Sequence, residues 1–168
     1  MILYGTTHRV GDGITADDIF PSARAADDPA ELASACLATI DPAIAEQARE
    51  GDILLAGDGF GAGDAAENAV LALRAAGFAA VVCVSAAPSF VASATDYGLP
   101  VLTCPAAVSG IAPGAIARLD LASGRIVDRA TGATYQAPPC APALVAAARR
   151  AQLLAHTRRV VEEEGFDG

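Results

Sequence analysis

The chain alternates between short apolar runs and segments whose apolar residues recur at helical spacing. The apolar runs predict buried parallel strands at 52–56, 79–84 and 100–103. Weak alternation over residues 2–10 predicts one or two short strands ahead of them. Because helical segments with short links separate the runs, the pattern predicts a parallel α/β layer.

Capping residues mark the predicted helices. Asp28-Pro29 and Asp41-Pro42 each place a capping aspartate before a proline at the first helical position. Glycines follow the segments 65–76 and 88–97, where they are typical helix ends. Helices are therefore predicted from position 28 to about 37, from 41 to before 51, and over 65–76, 88–97 and 142–164.

The pattern changes after Pro105. Residues 116–121 and 125–128 flank Ala122-Ser123-Gly124, a turn sequence that predicts a β-hairpin. The predicted fold is α/β, with a parallel strand–helix core followed by a C-terminal hairpin and helix. At 168 residues, the chain is expected to form a single domain over 1–168.

Charge and composition narrow the possible partners. The formal net charge of −9 argues against nucleic acid or an anionic membrane as a partner. No apolar run approaches the length of a membrane span, and the first residues lack a basic region. A cytoplasmic protein is expected.

The four cysteines do not have the spacing of metal ligands. Cys36, Cys83, Cys104 and Cys140 form no CxxC pair, and neither histidine lies at ligand spacing from them. Cys83 and Cys104 lie in apolar runs, where buried free thiols are common. We expect no metal site and no iron–sulfur cluster bound by this chain alone.

A glycine-rich loop over residues 57–65 joins an apolar run to a predicted helix. Its four glycines let the backbone approach a ligand closely, and the N–H groups of the first helical turn favour an anion. The alternative is a tight turn without a ligand. The loop has no lysine or arginine and no serine or threonine after its last glycine, which excludes a P-loop, and its spacing fits the dinucleotide fingerprint poorly.

Residues 11–21 provide a second candidate region. Asp12, Asp17 and Asp18 place three carboxylates close together around Thr15. Their spacing is not that of a calcium-binding loop, and turn or capping roles are the alternative to a ligand site.

Several segments, in order, resemble one family. The small subunit of the isopropylmalate and homoaconitate dehydratases contains similar segments in the same order. In this chain they are residues 11–21, Gly51-Asp52, Phe60-Gly61-Ala62-Gly63 and Gly98-Leu99-Pro100. That subunit is the swivelling domain of the aconitase superfamily. The resemblance covers roughly residues 4–128.

The resemblance implies a swivelling β/β/α sandwich and a heteromeric enzyme. In this family the small subunit closes over a large subunit that carries a 4Fe–4S cluster, and it supplies a base and an arginine for a substrate carboxylate. The chain is therefore expected to be the small subunit of a hydro-lyase or isomerase acting on a hydroxy acid. There are two alternatives. One is a degenerate subunit with a structural or regulatory role, and the other is a standalone metabolite-binding module.

The chain departs from the family in the central loop. Ala62 replaces the family's cysteine, Asp64 and Ala65 replace two serines, Ala66 replaces the arginine, and Glu67 is kept. An alanine supplies neither a base nor a cation, so the resemblance implies an altered substrate.

Asp64 is the candidate base, with N-capping of a helix that begins at Ala65 as its alternative role. The candidate substrate-binding residues lie in the two loops and are Gly61, Ala62, Gly63, Ala65, Thr15, Asp17 and Arg24.

Overall fold

The computed structural model describes residues 1–21 and 28–164, with side chains as far as Leu154. In this part of the chain, strands and helices follow one another as predicted for an α/β fold. The strands are β1 (Ile2–Arg9), β2 (Ile53–Ala56), β3 (Ala80–Cys83), β4 (Val101–Thr103), β5 (Ile116–Asp120), β6 (Arg125–Asp128) and β7 (Thr134–Gln136). The helices are α1 (Ala16–Ile19), α2 (Pro29–Ala35), α3 (Pro42–Gln47), α4 (Ala66–Ala76), α5 (Pro88–Asp96), α6 (Pro105–Gly110) and α7 (Pro142–Glu164).

One curled sheet contains all seven strands, in the order β4-β3-β2-β1-β5-β6-β7. Strands β1 to β4 are parallel, whereas β5, β6 and β7 continue the sheet in antiparallel fashion. The predicted parallel layer and the hairpin around residues 122–124 are both confirmed. β1 joins the two halves, because it pairs with β2 over residues 7–9 and with β5 over residues 2–6.

Two hydrophobic cores lie on opposite faces of the sheet. On one face, Leu54 and Val81 pack in a core with residues of helices α1 to α5. On the other face, Leu55 and Val82 share a core with Leu119 of β5 and with residues of α6 and α7. Because both faces of β2 and β3 are covered, these strands are apolar at every position and not only at alternate ones.

Local capping explains the starts of α2 and α3 and the end of α4. The Asp28 carboxylate accepts a hydrogen bond from the Ala30 N–H (3.0 Å), and Asp41 does the same for Ala43 (3.1 Å). Helix α4 ends at Gly77, which adopts a left-handed conformation with φ of 110°. The predicted starts of α2 and α3 and the end of α4 are therefore confirmed, although α2 ends at Ala35, two residues early.

Three short elements were not expected from the sequence. Residues 16–19 form α1 inside a segment that the pattern assigned to a loop, and α6 and β7 follow in the second half. Each spans only three to six residues. Such lengths are too short for a periodic pattern, so their formation depends on tertiary contacts.

Helix α7 occupies the predicted residues, but only part of it packs on the sheet. Ala148 is buried, whereas Leu153 and Leu154 are exposed. Within the described residues, no helix is both long enough and apolar enough to cross a membrane.

The thiols are free and mostly buried, as expected for Cys83 and Cys104. Burial raises the pKa of the Cys36 thiol to about 12. Burial likewise raises the pKa of Cys83 to about 11, against a hydrogen-bonding effect of Thr103 that lowers it. The folded chain therefore holds these two thiols in their neutral form.

We predict that the free energy of unfolding falls as the pH rises above 9. The thiols of the unfolded chain ionise near 9.0, whereas in the folded chain Cys36 and Cys83 keep their protons up to about 12 and about 11. In that interval the native state binds more protons than the unfolded state, so stability decreases by about 1.4 kcal/mol per pH unit for each thiol. Urea denaturation at pH 8, 9 and 10 measures the slope.

The double variant Cys36→Ala, Cys83→Ala provides the control. It should be less stable than the parent at pH 8, because two buried side chains are shortened, but its stability should decline less steeply with pH. Parallel pH profiles for the two proteins would contradict the assignment to these thiols.

Candidate functional site

Three loops meet at the edge of the sheet where the parallel strands β1, β2 and β3 end. They are the early loop (residues 11–21), the glycine loop (57–65) and the third loop (84–87). The carboxyl ends of parallel strands lie at one edge, and ligands of open α/β sheets bind outside that edge. The structure therefore brings together the two regions that the sequence singled out.

Backbone hydrogen bonds join the glycine loop to the early loop. The Gly61 N–H donates to the carbonyl of Ile14 (2.8 Å). The Ala16 N–H donates to the carbonyl of Ala62 (2.8 Å), beside a parallel bridge between Thr15 and Ala62. The Gly61 N–H is consequently occupied within the protein, and this residue shapes the loop.

The next N–H groups of the glycine loop have no partner among the described residues. Within the described residues, no acceptor receives a hydrogen bond from the N–H groups of Ala62, Gly63, Asp64 or Ala65. The first three of these residues are exposed and the fourth is half-buried, at the start of the 11-residue helix α4. A run of free N–H groups at the positive end of a helix dipole favours a carboxylate or another anion.

Phe60 anchors the glycine loop in the protein. Its ring is fully buried and meets the ring of Phe90 edge to face, with 5.1 Å between the centroids. Its N–H donates to the Ser85 carbonyl (3.1 Å), and its carbonyl accepts from the Ala87 N–H (2.9 Å). The loop is thus fixed to the third loop as well as to the early loop.

Two side chains at this edge were missed by the sequence analysis. The Ser85 hydroxyl accepts a hydrogen bond from the Gly59 N–H (2.8 Å) and donates one to the Asp58 carboxylate. The Asp58 N–H in turn donates to the Asp12 carboxylate (2.8 Å). Asp58 and Ser85 each follow closely after a parallel strand, and that placement was the available indication that they would meet.

Asp64 does not cap helix α4, so the capping role suggested for it is wrong. The N-cap residue is Ala65, with φ of −88° and ψ of 24°, and no side chain caps the helix. Gly63 turns the chain with φ of 119° just before Asp64, and the helix begins one residue later than the sequence suggested. Within the described residues the Asp64 carboxylate is exposed and makes no hydrogen bond.

The early loop uses its polar residues mainly to cap α1. The Thr15 hydroxyl accepts from the Asp18 N–H (3.1 Å), while the Asp18 carboxylate accepts from the Thr15 N–H (3.0 Å). Thr15 is half-buried beside Ala62, and Asp17 is exposed on α1. Arg24 lies outside the described residues.

Glu67, which the chain shares with the family it resembles, is held away from the loop. Its carboxylate accepts a hydrogen bond from the Tyr97 hydroxyl, which ties the start of α4 to the end of α5. This hydrogen bond raises the pKa of Tyr97. The contact indicates a structural role for Glu67.

The three loops contain carboxylates but no basic residue. The early loop, glycine loop and third loop include Asp12, Asp17, Asp18, Asp58 and Asp64, and no lysine, arginine or histidine. Within the described residues, no three metal-ligating side chains come together. Backbone N–H groups are therefore the donors that these loops offer to an anion.

Two cavities lie away from the loops. One, of about 680 Å³, has walls that include Leu3, Phe78 and Leu99, near the amino ends of the parallel strands. The other, of about 610 Å³, contains His8, whose Nε2 lies 2.7 Å from the Asp52 carboxylate. Neither includes a residue of the glycine loop, whose residues 62–64 are exposed at the edge of the sheet.

The chain is similar to small subunits of dehydratases. It is 39% identical to the 3-isopropylmalate dehydratase small subunit of Moorella thermoacetica over 143 residues, or 84% of this chain and 86% of that protein. It is 37% identical over 133 residues to the 2,3-dimethylmalate dehydratase small subunit of Eubacterium barkeri, or 79% of this chain and 81% of that protein.

A solved structure has the same fold. The crystal structure of 3-isopropylmalate dehydratase from Methanocaldococcus jannaschii matches with a TM-score of 0.80 and 31% identity, covering 99% of this chain and 100% of that chain. A comparison with protein-family profiles finds no match.

We predict that Gly61→Ala is more destabilising than Gly63→Ala. Both glycines have positive φ, of 82° and 119°, so each substitution strains the backbone by about 1–3 kcal/mol. A Cβ at position 61 would also lie 2.4 Å from Cγ of Phe90, whereas a Cβ at position 63 meets nothing within 4 Å. Urea denaturation should show a further loss of about 1–3 kcal/mol for Gly61→Ala.

Gly132→Ala serves as the control for strain alone. Gly132 has φ of 80° in a turn outside the three loops, with no atom within 4 Å of an added Cβ. Its loss of stability should match that of Gly63→Ala. Equal losses of stability at positions 61, 63 and 132 would show that the close approach to Phe90 does not restrict the side chain at position 61.

Proposed function

Because the chain belongs to the family of the small subunits of 3-isopropylmalate dehydratase, we propose that it is the small subunit of an aconitase-superfamily hydro-lyase or isomerase. The family indicated by the order of its sequence segments is thereby confirmed. In the proposal, residues 1–168 act as a single swivelling domain on a hydroxy acid, together with a separate large subunit.

The single observation that carries the proposal is the run of N–H groups over residues 62–65 that have no acceptor in the part of the chain that the structure describes. They lie at the outer edge of the sheet, beside Thr15 of the early loop. In the proposal these groups bind a substrate carboxylate, with Thr15 and Asp17 lining the site and Arg24 supplying a cation. An open edge of this kind suits a site that is completed when a large subunit lies against it.

Asp64 is the residue that we propose as the base. Dehydration of a hydroxy acid removes a proton from carbon, and the electrons of that bond form the double bond while the hydroxyl group takes up a second proton, on the side of the large subunit, and leaves as water. A carboxylate next to the anion-binding N–H groups is placed to accept such a proton. Departure of the hydroxyl group is assigned to the large subunit, which in this family carries a 4Fe–4S cluster.

The substrate is proposed to differ from that of the family's usual members. The three loops have no basic side chain, and Ala66 stands where the resemblance places the family's arginine for a substrate carboxylate. A substrate with a neutral group at that position avoids an unpaired carboxylate beside Asp64. We also propose a cytoplasmic location, which the free thiols support because disulfides are rare in that compartment.

A non-catalytic subunit is the second candidate function. The alanines of the glycine loop remove reactive side chains, while the hydrogen bonds of Gly61 and Ala16 keep the loop in place. A chain with this combination would retain a partner-binding edge without a catalytic group. Activity measurements on the assembled pair separate the two candidates.

The proposal is tested by co-expression with the large subunit encoded in the same organism. The pair should interconvert a hydroxy acid and its unsaturated product, measured by the ultraviolet absorbance of the double bond over a panel of substrates. Neither chain alone should do so. Full activity of the large chain alone would contradict a catalytic role, and an assembled but inactive pair would favour the non-catalytic candidate.

In an active pair, we expect Asp64→Asn to lower kcat by about 10²–10⁴-fold, because an amide cannot accept the proton. Asp96→Asn, which changes an exposed carboxylate at the end of α5, is the matched control and should leave kcat unchanged. Unaltered turnover by Asp64→Asn would show that another group is the base.

A further inference from the structure

One face of the antiparallel half of the sheet has no helix over it in the described part of the chain. Helices α1 to α5 cover this face over the parallel strands, and the core beneath them contains no residue of β5, β6 or β7. Leu3 and Leu119 point to the opposite, buried face. The residues that alternate with them are open, and Ile2, Tyr4 and Ile116 are 46%, 55% and 51% exposed.

Strand register gathers these residues into one patch. Tyr4 lies opposite Arg118, and Arg118 lies opposite Val127 on the next strand. The Arg129 N–H bonds to the Ile116 carbonyl, which places these two residues side by side. We call this patch the open face, which consists of Ile2, Tyr4, Ile116, Arg118, Val127 and Arg129.

Tyr4 is held in place at the centre of the open face. The Arg118 Nε donates a hydrogen bond to the Tyr4 hydroxyl (3.3 Å), and the guanidinium carbon of Arg129 lies 5.6 Å from the centre of the ring. A tyrosine fixed before binding loses little conformational freedom when a partner covers it. Tyrosine and arginine are also the residue types most enriched among the dominant contacts of protein interfaces.

The charge of the open face is opposite to that of the chain. The chain carries a net charge of −9, yet the charged residues of the open face, Arg118 and Arg129, are basic. On the same side of the sheet, three arginines including Arg125 outnumber Asp120, which lies opposite Ile2. The neighbouring Arg125 lies opposite Asp120, so that pair is balanced. Two copies of the chain that met through this same face would bring their arginines together. The charge complementarity therefore favours a different chain with an acidic surface.

We infer that the open face is a docking surface for the large subunit, which contacts it through an apolar area bordered by carboxylates. The inference rests on the proposed function, since it takes the large subunit as the partner. The open face would then be a second contact with the large subunit, separate from the three loops. This contact would hold the subunits together while the three loops face the substrate.

The test measures the dissociation constant of the large subunit for variants of this chain, by calorimetry at low and moderate salt. Tyr4→Ala should weaken binding by about 30-fold or more, as expected for a central interface residue. Tyr4→Phe, which keeps the ring, should bind nearly as the parent does. Arg129→Glu should weaken binding most at low salt, because it reverses an attractive charge.

Arg150→Glu is the matched control, because it reverses the charge of an exposed arginine on α7, outside the open face. Its affinity should equal that of the parent, and circular dichroism should show every variant folded. If Tyr4→Ala and Arg129→Glu bind the large subunit as tightly as the parent does, the docking surface is wrong while the proposed function stands. If the parent does not bind the large subunit at all, the proposed function fails and the inference with it.

Light scattering on the isolated chain tests whether a second copy of this chain, and not the large subunit, covers the open face. A parent dimer that Tyr4→Ala converts to a monomer would assign the open face to a second copy and would overturn the inference. A monomer in both cases, together with the loss of large-subunit affinity, supports it.

Discussion

Strand β1 is hydrogen-bonded on both sides, over different parts of its length, and the remaining structure depends on that arrangement. Its amino half pairs with β5 and its carboxyl half with β2. The chain passes so close at Gly5 that a Cβ there would lie 2.1 Å from the Gly51 carbonyl oxygen, so only glycine fits. The register of β1 then places the early loop beside the glycine loop and places Tyr4 on the open face.

The shape of the loop edge does not depend on the side chains at the exposed positions of the glycine loop. The contacts that shape the glycine loop are backbone hydrogen bonds of Gly61 and Ala62 and the ring of Phe60. None of them requires a particular side chain at position 62, 64 or 65. The side chains at these positions can therefore vary without changing the shape of the loop.

The elements predicted correctly are those that local rules decide. Strands β2 and β3 are continuous apolar runs, and α2 and α3 begin at a capping aspartate followed by proline. By contrast, α1, α6 and β7 are too short to show a period. The start of α4 depends on the φ of Gly63, and a glycine in the sequence does not reveal which conformation it adopts.

The sequence by itself determined the α/β class, the order of most elements, the glycine loop and the family, because burial periodicity, capping and short motifs depend on neighbouring residues. Only the tertiary structure decided that Ser85 donates a hydrogen bond to Asp58, 27 positions away, and which N–H groups of the glycine loop find an acceptor among the described residues. It also decided that Arg118 of β5 and Arg129, which follows β6, both contact Tyr4. Such contacts join residues far apart in the chain, so they follow from strand order and register, which local patterns do not specify.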